Sequence, residues 1–235
     1  MTGHMLISVR SSKRLHHWLH VAVPAGIAII LIITASICLF ELAVTVAAKD
    51  GFYLDRRLLT YAAEHRHSEL DLLFRITTWA GSFYVLGPLT LLLVIAFSWR
   101  RAVMSASLLG IGFGGAALIT YITKHLLERE RPGLFPQLVE PAQLAAFPSG
   151  HSTHIAAFSL ALYLVCRQSH PEEKLLIGSI LAILTFLVAV SRVYLQVHYP
   201  TDVLAGLLLA LIWVSTTAML LNKYCHFRDK PIELP

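Results

Sequence analysis

Six apolar runs divide this 235-residue chain, and their length dictates the surroundings it can fold in. They cover residues 21–48, 76–99, 102–122, 152–166, 175–190 and 203–221. A hydrocarbon core takes about 20 apolar residues of helix. The expected fold is therefore all-α, a polytopic membrane protein with six transmembrane helices. The fourth and fifth runs are short, as for helices packed inside a bundle at other tilts. Composition agrees: 56% of residues are hydrophobic, 14% are charged, and the mean hydropathy is +0.66, which a soluble domain rarely reaches. One integral-membrane domain over 1–235 fits the length. The first run is too long for a signal-peptide core and lacks a clear cleavage site, so it reads as a retained span.

The formal charge of +5 is modest and does not call for nucleic acid; basic loops at a cytoplasmic membrane face account for it. Six spans put both termini on one side. That side would hold Arg10, Lys13, Arg14, Arg100, Arg101, Arg167, Lys174, Lys223, Arg228 and Lys230. The other would hold Lys49, Arg56, Arg57, Arg66, Arg75, Lys124, Arg129, Arg131 and Arg192. Lys124, Arg131 and Arg192 belong to a candidate site; with those three set aside, charge bias places the termini in the cytoplasm and the opposite loops outside. Between the first two runs, Leu54, Leu58, Tyr61 and Ala62 fall at helical spacing among Arg56, Arg57, Glu64 and Arg66. That pattern fits an interfacial amphipathic helix, and equally an ordinary polar connector. Gly112, Gly114, Gly115 and Ala116 in the third run permit close helix packing. Cys38, Cys166 and Cys225 follow no metal or disulfide spacing.

Ionisable groups gather at one set of run ends. The third run ends in Lys124, with Arg131-Pro132 following; the fourth opens at Pro148-Ser149-Gly150-His151; the fifth ends in Ser191-Arg192; the sixth opens after His198 and Asp202. Unpaired ionisable groups beside lipid cost several kcal/mol, so their retention points to chemistry. Alternation of spans puts all four ends on one face. Lys124, Arg131 and Arg192 would supply three cations, and arginine forks match phosphate oxygens. Ser149 and Gly150 stand at a helix start, where free N–H groups favour an anion, and glycine lets the backbone approach closely. Asp202, four residues after His198, can hold the imidazole in one tautomer and leave its other nitrogen free to attack phosphorus. His151 can protonate a leaving oxygen. With no metal-ligand spacing and three cations in that role, the expected mechanism is metal-independent and needs no cofactor.

Lys124-x6-Arg131-Pro132, Pro148-Ser149-Gly150-His151 and Ser191-Arg192-x5-His198-x3-Asp202 resemble the three signature motifs of the type 2 phosphatidic acid phosphatase (PAP2) superfamily. The resemblance spans residues 124–202 by motif and most of the chain by layout. It implies a six-helix membrane phosphatase with His198 as nucleophile, a phosphohistidine intermediate, Asp202 as its assistant and His151 as acid. Lys124, Arg131, Ser149, Gly150 and Arg192 would hold the phosphate. The substrate would be a lipid phosphomonoester or pyrophosphate in the bilayer. Undecaprenyl pyrophosphate and phosphatidylglycerol phosphate are favoured, at the periplasmic side of a bacterial inner membrane. The same half-reaction would serve a phosphotransferase handing the group to a lipid such as lipid A. A transporter lined by these charges is the reading from another class; it is disfavoured because the charges sit at one face and not at the midplane. Glu130 and His154 are less usual in such motifs.

Other polar residues read more plainly. His154 is expected to pack or hydrogen-bond inside the bundle. His65 and His67 are expected in solvent, and His16, His17 and His20 at the cytoplasmic interface. Glu41 is an isolated charge in the first run, in a polar cavity or near headgroups. Trp79, Tyr84 and Trp99 suit aromatic belts.

Overall fold

The computed structural model describes residues 25–49, 52–141, 143–166 and 171–228. The expectations for Arg10, Lys13, Arg14, His16, His17, His20, Arg167 and Lys230, for the start of the first run at Val21, and for the side chains of Cys225 and Arg228 lie outside the described residues. Among the described residues the regular structure is all helical. The elements are α1 (Ala25–Ala47), α2 (Tyr53–Glu64), α3 (Ser68–Thr77), a 3-10 turn (Thr78–Gly81), α4 (Phe83–Trp99), α5 (Val103–Leu127), α6 (Gly150–Val165), α7 (Pro171–Tyr194) and α8 (Pro200–Arg228).

Among the described residues, five stretches are long and apolar enough to cross a membrane: Gly26–Ala47, Ser68–Trp99, Val103–Leu127, Glu172–Tyr194 and Pro200–Tyr224. The sixth expected span, α6, has 16 residues, which is short of that length. Its position explains how so short a helix is accommodated. Ser152, Thr153, Ile155, Ala157, Phe158, Ser159 and Ala161 of α6 are buried, and α5, α7 and α8 pack around it. Small residues make this possible. Ala116 of α5, Ala157 and Ala161 of α6, and Ala210, Val214 and Ala218 of α8 share one core with Leu108 and Leu109. Without bulky side chains, the three backbones approach closely, the usual device where lipid supplies no hydrophobic drive between helices. Outside that core the surface is apolar: Ile30, Phe40, Leu92, Ile122 and Phe186 are all exposed, as lipid-facing side chains would be.

The stretch between the first two runs folds as two helices, not one. α2 has apolar groups on two faces. Leu54, Leu58 and Tyr61 are exposed, whereas Leu59 and Asp55 are fully packed inside. The second run is broken inside the Ser68–Trp99 stretch. Ser82 caps α4 by accepting from the Tyr84 N–H at 3.2 Å, and the 3-10 turn before it separates α3 from α4. Elsewhere helices outrun the apolar stretches: α5 continues through Lys124 to Leu127, α7 through Arg192 to Tyr194, and α8 starts at Pro200. Charged motif residues therefore sit on helical turns, whose geometry fixes their directions.

Two glycines set the spacing near the motif end. A Cβ on Gly206 of α8 would lie 2.7 Å from the Ser149 carbonyl oxygen and 2.8 Å from Thr153 Oγ1. One on Gly81 would lie 2.6 Å from Val188 Cγ1 and 2.9 Å from the His151 carbonyl oxygen. Both contacts would push on the first turn of α6. Gly206→Ala is expected to destabilise the protein by about 1–3 kcal/mol, read as a lower melting temperature in detergent. Gly114→Ala, where nothing lies within 4 Å, should leave the melt unchanged or raise it slightly.

Candidate active site

Four helix ends meet at one end of the bundle: the last turns of α5 and α7 and the first turns of α6 and α8. Backbone bonds lock them together. The Ser149 N–H donates to the Asp202 carbonyl at 2.9 Å, tying the start of α6 to α8. The Val197 and His198 N–H groups donate to the Arg192 carbonyl at 3.2 and 3.3 Å, folding the α7–α8 turn back on α7. Gln196 takes a positive φ of 61° at the turn, and its Nε2 donates to the Leu59 carbonyl of α2 at 2.8 Å.

His198 is buried between a carboxylate and a guanidinium. Its Nδ1 is 3.4 Å from Asp202 Oδ2, and its Nε2 is 3.3 Å from an Arg131 NH1. The Tyr199 N–H donates to Asp202 Oδ2 at 2.9 Å, fixing that carboxylate edge. An imidazole whose Nδ1–H donates to Asp202 keeps its Nε2 lone pair directed at Arg131. Burial first, then the positive charges of Arg131, Arg192 and Lys124 and the neighbouring His151, push the His198 pKa well below its ordinary value. The ring is therefore neutral at neutral pH.

Three expected cations converge here. Lys124 is buried, and its Nζ donates to the Ala145 carbonyl at 2.6 Å and the Ala146 carbonyl at 3.4 Å. Arg131 donates from Nε to the Gln143 carbonyl at 2.9 Å and from NH1 to the Val197 carbonyl. Burial lowers its pKa to about 10, partly countered by Asp202, so it stays charged. Arg192 is buried, its NH1 donates to Thr78 Oγ1, and its Nε has no partner. His151, on the first turn of α6, is an electrostatic neighbour of Arg192, Arg131 and Lys124. Ser149 occupies the N-cap position of α6 without a side-chain capping bond, and its buried Oγ accepts from Ser152 Oγ at 3.0 Å. A Cβ on Gly150 would meet only ordinary contacts, 3.6 Å from His154 Cε1 and 4.0 Å from Lys124 Cε. Packing alone thus does not demand glycine at that position. All eight expected site residues share this one end of the bundle.

Residues outside the motifs complete the site. Arg129 NH1 donates to Asp202 Oδ1 and, at 2.8 Å, to Thr201 Oγ1. Its NH2 reaches Asp55 Oδ2 of α2 at 2.9 Å, and its guanidinium lies 4.1 Å from the centre of the Tyr199 ring. Thr78, which holds Arg192, comes from the 3-10 turn. His154 packs between Phe83 and Phe113, with ring centres 5.6 and 5.7 Å away, and its buried Nδ1 lacks a hydrogen-bond partner. Glu130 and Glu41 are exposed. His65 is exposed and stacks on Tyr61, while the His67 backbone N–H donates to the Tyr194 hydroxyl. Among the described residues no three His, Cys, Asp or Glu side chains are grouped to hold a metal.

The charge balance has a chemical consequence. Lys124, Arg129, Arg131 and Arg192 are four basic side chains against two buried carboxylates, Asp55 and Asp202, so basic groups are in excess among the described residues. Buried charge is costly unless it is compensated, so the pocket is suited to an anion.

Comparison with known proteins agrees with that chemistry. A family model described as the PAP2 superfamily matches residues 105–224. Phosphatidylglycerophosphatase B of Bacillus subtilis (strain 168) is 31% identical over 159 residues, covering 65% of this chain and 76% of that protein. Undecaprenyl-diphosphatase of Sulfolobus acidocaldarius is 34% identical over 139 residues, covering 57% of this chain and 62% of that protein. The crystal structure of the first transmembrane PAP2 type phosphatidylglycerolphosphate phosphatase from Bacillus subtilis aligns with a TM-score of 0.67 at 27% identity. It covers 84% of this chain and 98% of that one.

The ion-pair chain makes a stability prediction. Arg129→Ala strands two buried carboxylates and is expected to cost about 3–5 kcal/mol. Thermal unfolding in detergent reads this as a large drop in midpoint; an unchanged midpoint would show that the pairs contribute nothing.

Proposed function

We propose that this chain, which belongs to the PAP2 superfamily, is an integral-membrane lipid phosphatase working through His198 and without a metal. The observation that carries the reading is the excess of basic side chains over carboxylates around a neutral, buried imidazole. A phosphate monoester or terminal pyrophosphate group supplies the missing negative charge. The unpartnered Arg192 Nε, the Arg131 fork, Lys124, the Ser149 hydroxyl and the Gly150 N–H would bind its oxygens. Gly150, which packing does not require, leaves the α6 backbone open to the phosphate.

In the first step His198 Nε2 attacks phosphorus as the bond to the leaving oxygen breaks. Asp202 accepts the hydrogen bond from Nδ1–H and stabilises the positive charge that develops on the ring. His151 delivers a proton to the leaving oxygen and later takes one from the water that cleaves the phosphohistidine. Lys124, Arg131 and Arg192 stabilise the charge on the equatorial oxygens, a role that metal ions fill elsewhere.

The relatives' names favour phosphatidylglycerol phosphate or undecaprenyl pyrophosphate as the substrate class. We further assign one domain over 1–235 and six membrane crossings. The short α6, about 24 Å long, is the central crossing, wrapped by α5, α7 and α8. α2 lies in the interface, since Leu54, Leu58 and Tyr61 face outward on the motif side. The bias of basic residues toward the terminal side in the sequence favours cytoplasmic termini and a site at the periplasmic side of a bacterial plasma membrane.

A phosphate-release panel over phosphatidylglycerol phosphate, undecaprenyl pyrophosphate, phosphatidic acid and lipid A, run in EDTA with and without an acceptor lipid, tests the reading. Release of free phosphate that persists in EDTA is expected. Loss of activity in EDTA would overturn the metal-free claim, and label appearing in the acceptor would make the protein a phosphotransferase. His198→Ala should fold normally and release no phosphate; wild-type turnover in that variant would reject the mechanism.

A further inference from the structure

We infer that Asp55 of α2 is a positioning residue for the nucleophile, acting through Arg129 on Asp202. The inference rests on the proposed role of His198 and extends the site to a helix outside the three motifs. Asp55 is 2% exposed, although its helix carries Leu54, Leu58 and Tyr61 on the outside. Every contact of its carboxylate leads to the α8 start or to Arg129. Oδ1 accepts from the Thr201 N–H at 2.9 Å; Oδ2 accepts from Thr201 Oγ1 at 2.6 Å and from Arg129 NH2 at 2.9 Å. Arg129 presents its other terminal nitrogen to Asp202 Oδ1, while Asp202 Oδ2 faces His198 Nδ1 at 3.4 Å. The order is thus Asp55, Arg129, Asp202, His198, with Thr201 bridging the first two.

Each link has a physical task. A carboxylate that orients an imidazole must itself be held, because its rotation would release the ring. Arg129 holds it, but a guanidinium with one carboxylate can swing about its own stem. Asp55 fixes the second nitrogen, and the stacked Tyr199 ring closes one face. Asp55 also balances charge. Arg129 without Asp55 would present its whole positive charge to Asp202 and weaken that carboxylate's ability to stabilise a positive His198. The groups around His198 itself are Asp202 on α8, Arg131 in the α5–α6 loop, Arg192 on α7, Lys124 on α5 and His151 on α6. None of those groups replaces the Asp55 contact. Further, Leu59 is fully buried one turn on, and Gln196 anchors its carbonyl, so α2 is pinned to the site along its inner face.

The test is a double-mutant cycle on kcat and KM with whichever lipid phosphate the wild-type protein hydrolyses. Asp55→Asn keeps the shape and removes the charge. It is expected to lower kcat about 10- to 100-fold, the usual effect of losing a residue that holds a catalytic one. KM and the inhibition constant for inorganic phosphate should change less than about threefold, because Asp55 does not reach the cradle. Asp55→Glu, which restores the carboxylate, should recover part of kcat. Arg129→Gln should lower kcat at least as far, and adding Asp55→Asn to it should cost less than about twofold more. If Asp55→Asn does not fold, Thr201→Val, which removes one of its bonds, should still lower kcat several-fold at constant KM. Additive losses in the cycle, or wild-type kcat in folded Asp55→Asn, would overturn the inference. His198→Ala in the same assay separates the two failures: activity there rejects the mechanism itself, whereas an inactive His198→Ala beside an active Asp55→Asn rejects only Asp55.

Discussion

Uncompensated positive charge buried at the end of an apolar bundle is the constraint on which the other features of the site depend. Lys124, Arg131 and Arg192 stand close together with no carboxylate of their own. Carbonyls of the 128–149 loop and the α7–α8 turn take their N–H groups and replace part of the lost hydration. Such bonds satisfy donors but leave the charge unbalanced. The helices must therefore be held rigidly against repulsion, and small residues in α5, α6 and α8 provide that rigidity by letting the backbones meet. On the proposed function, a bound phosphate would relieve the repulsion, and the relief would grow as charge gathers on its oxygens in the transition state.

Among the described residues the buried carboxylates are Asp202 and Asp55, and Arg129 lies between them. The division separates two jobs. In the proposed mechanism the cations facing the pocket act on the substrate, while the alternating charges behind His198 act on the nucleophile. It also gives α2 a second face. The exposed apolar side of α2 suits headgroups and lipid, and its inner side carries Asp55 and Leu59 into the protein.

Much of this was legible before any coordinates, for physical reasons. Helix-length apolar runs have one reading, and the motif residues have a fixed spacing because each must reach the pocket from a helix end. The missed parts show where such reading stops. Arg129 sits in Glu128-Arg129-Glu130-Arg131, where alternating charge looks like solvated surface; only the fold turns Arg129 inward while Glu128 and Glu130 stay exposed. Asp55 lies 74 residues from its partner, and its own helix shows a clearer stripe of Leu54, Leu58 and Tyr61 that hides the buried face. The break at Ser82 was invisible in hydropathy, because a serine cap beside Gly81 removes little apolar character from the run. The fourth run, read as short and packed inside the bundle, folds as the 16-residue α6 with α5, α7 and α8 around it.

Trapping the intermediate tests the central claim most directly. Protein mixed with a lipid carrying labelled terminal phosphate, quenched in alkali within one turnover and digested, should yield one acid-labile, alkali-stable phosphopeptide containing His198. Label on any other residue, or single-turnover phosphate release with no protein-bound label at any quench time, would contradict the account.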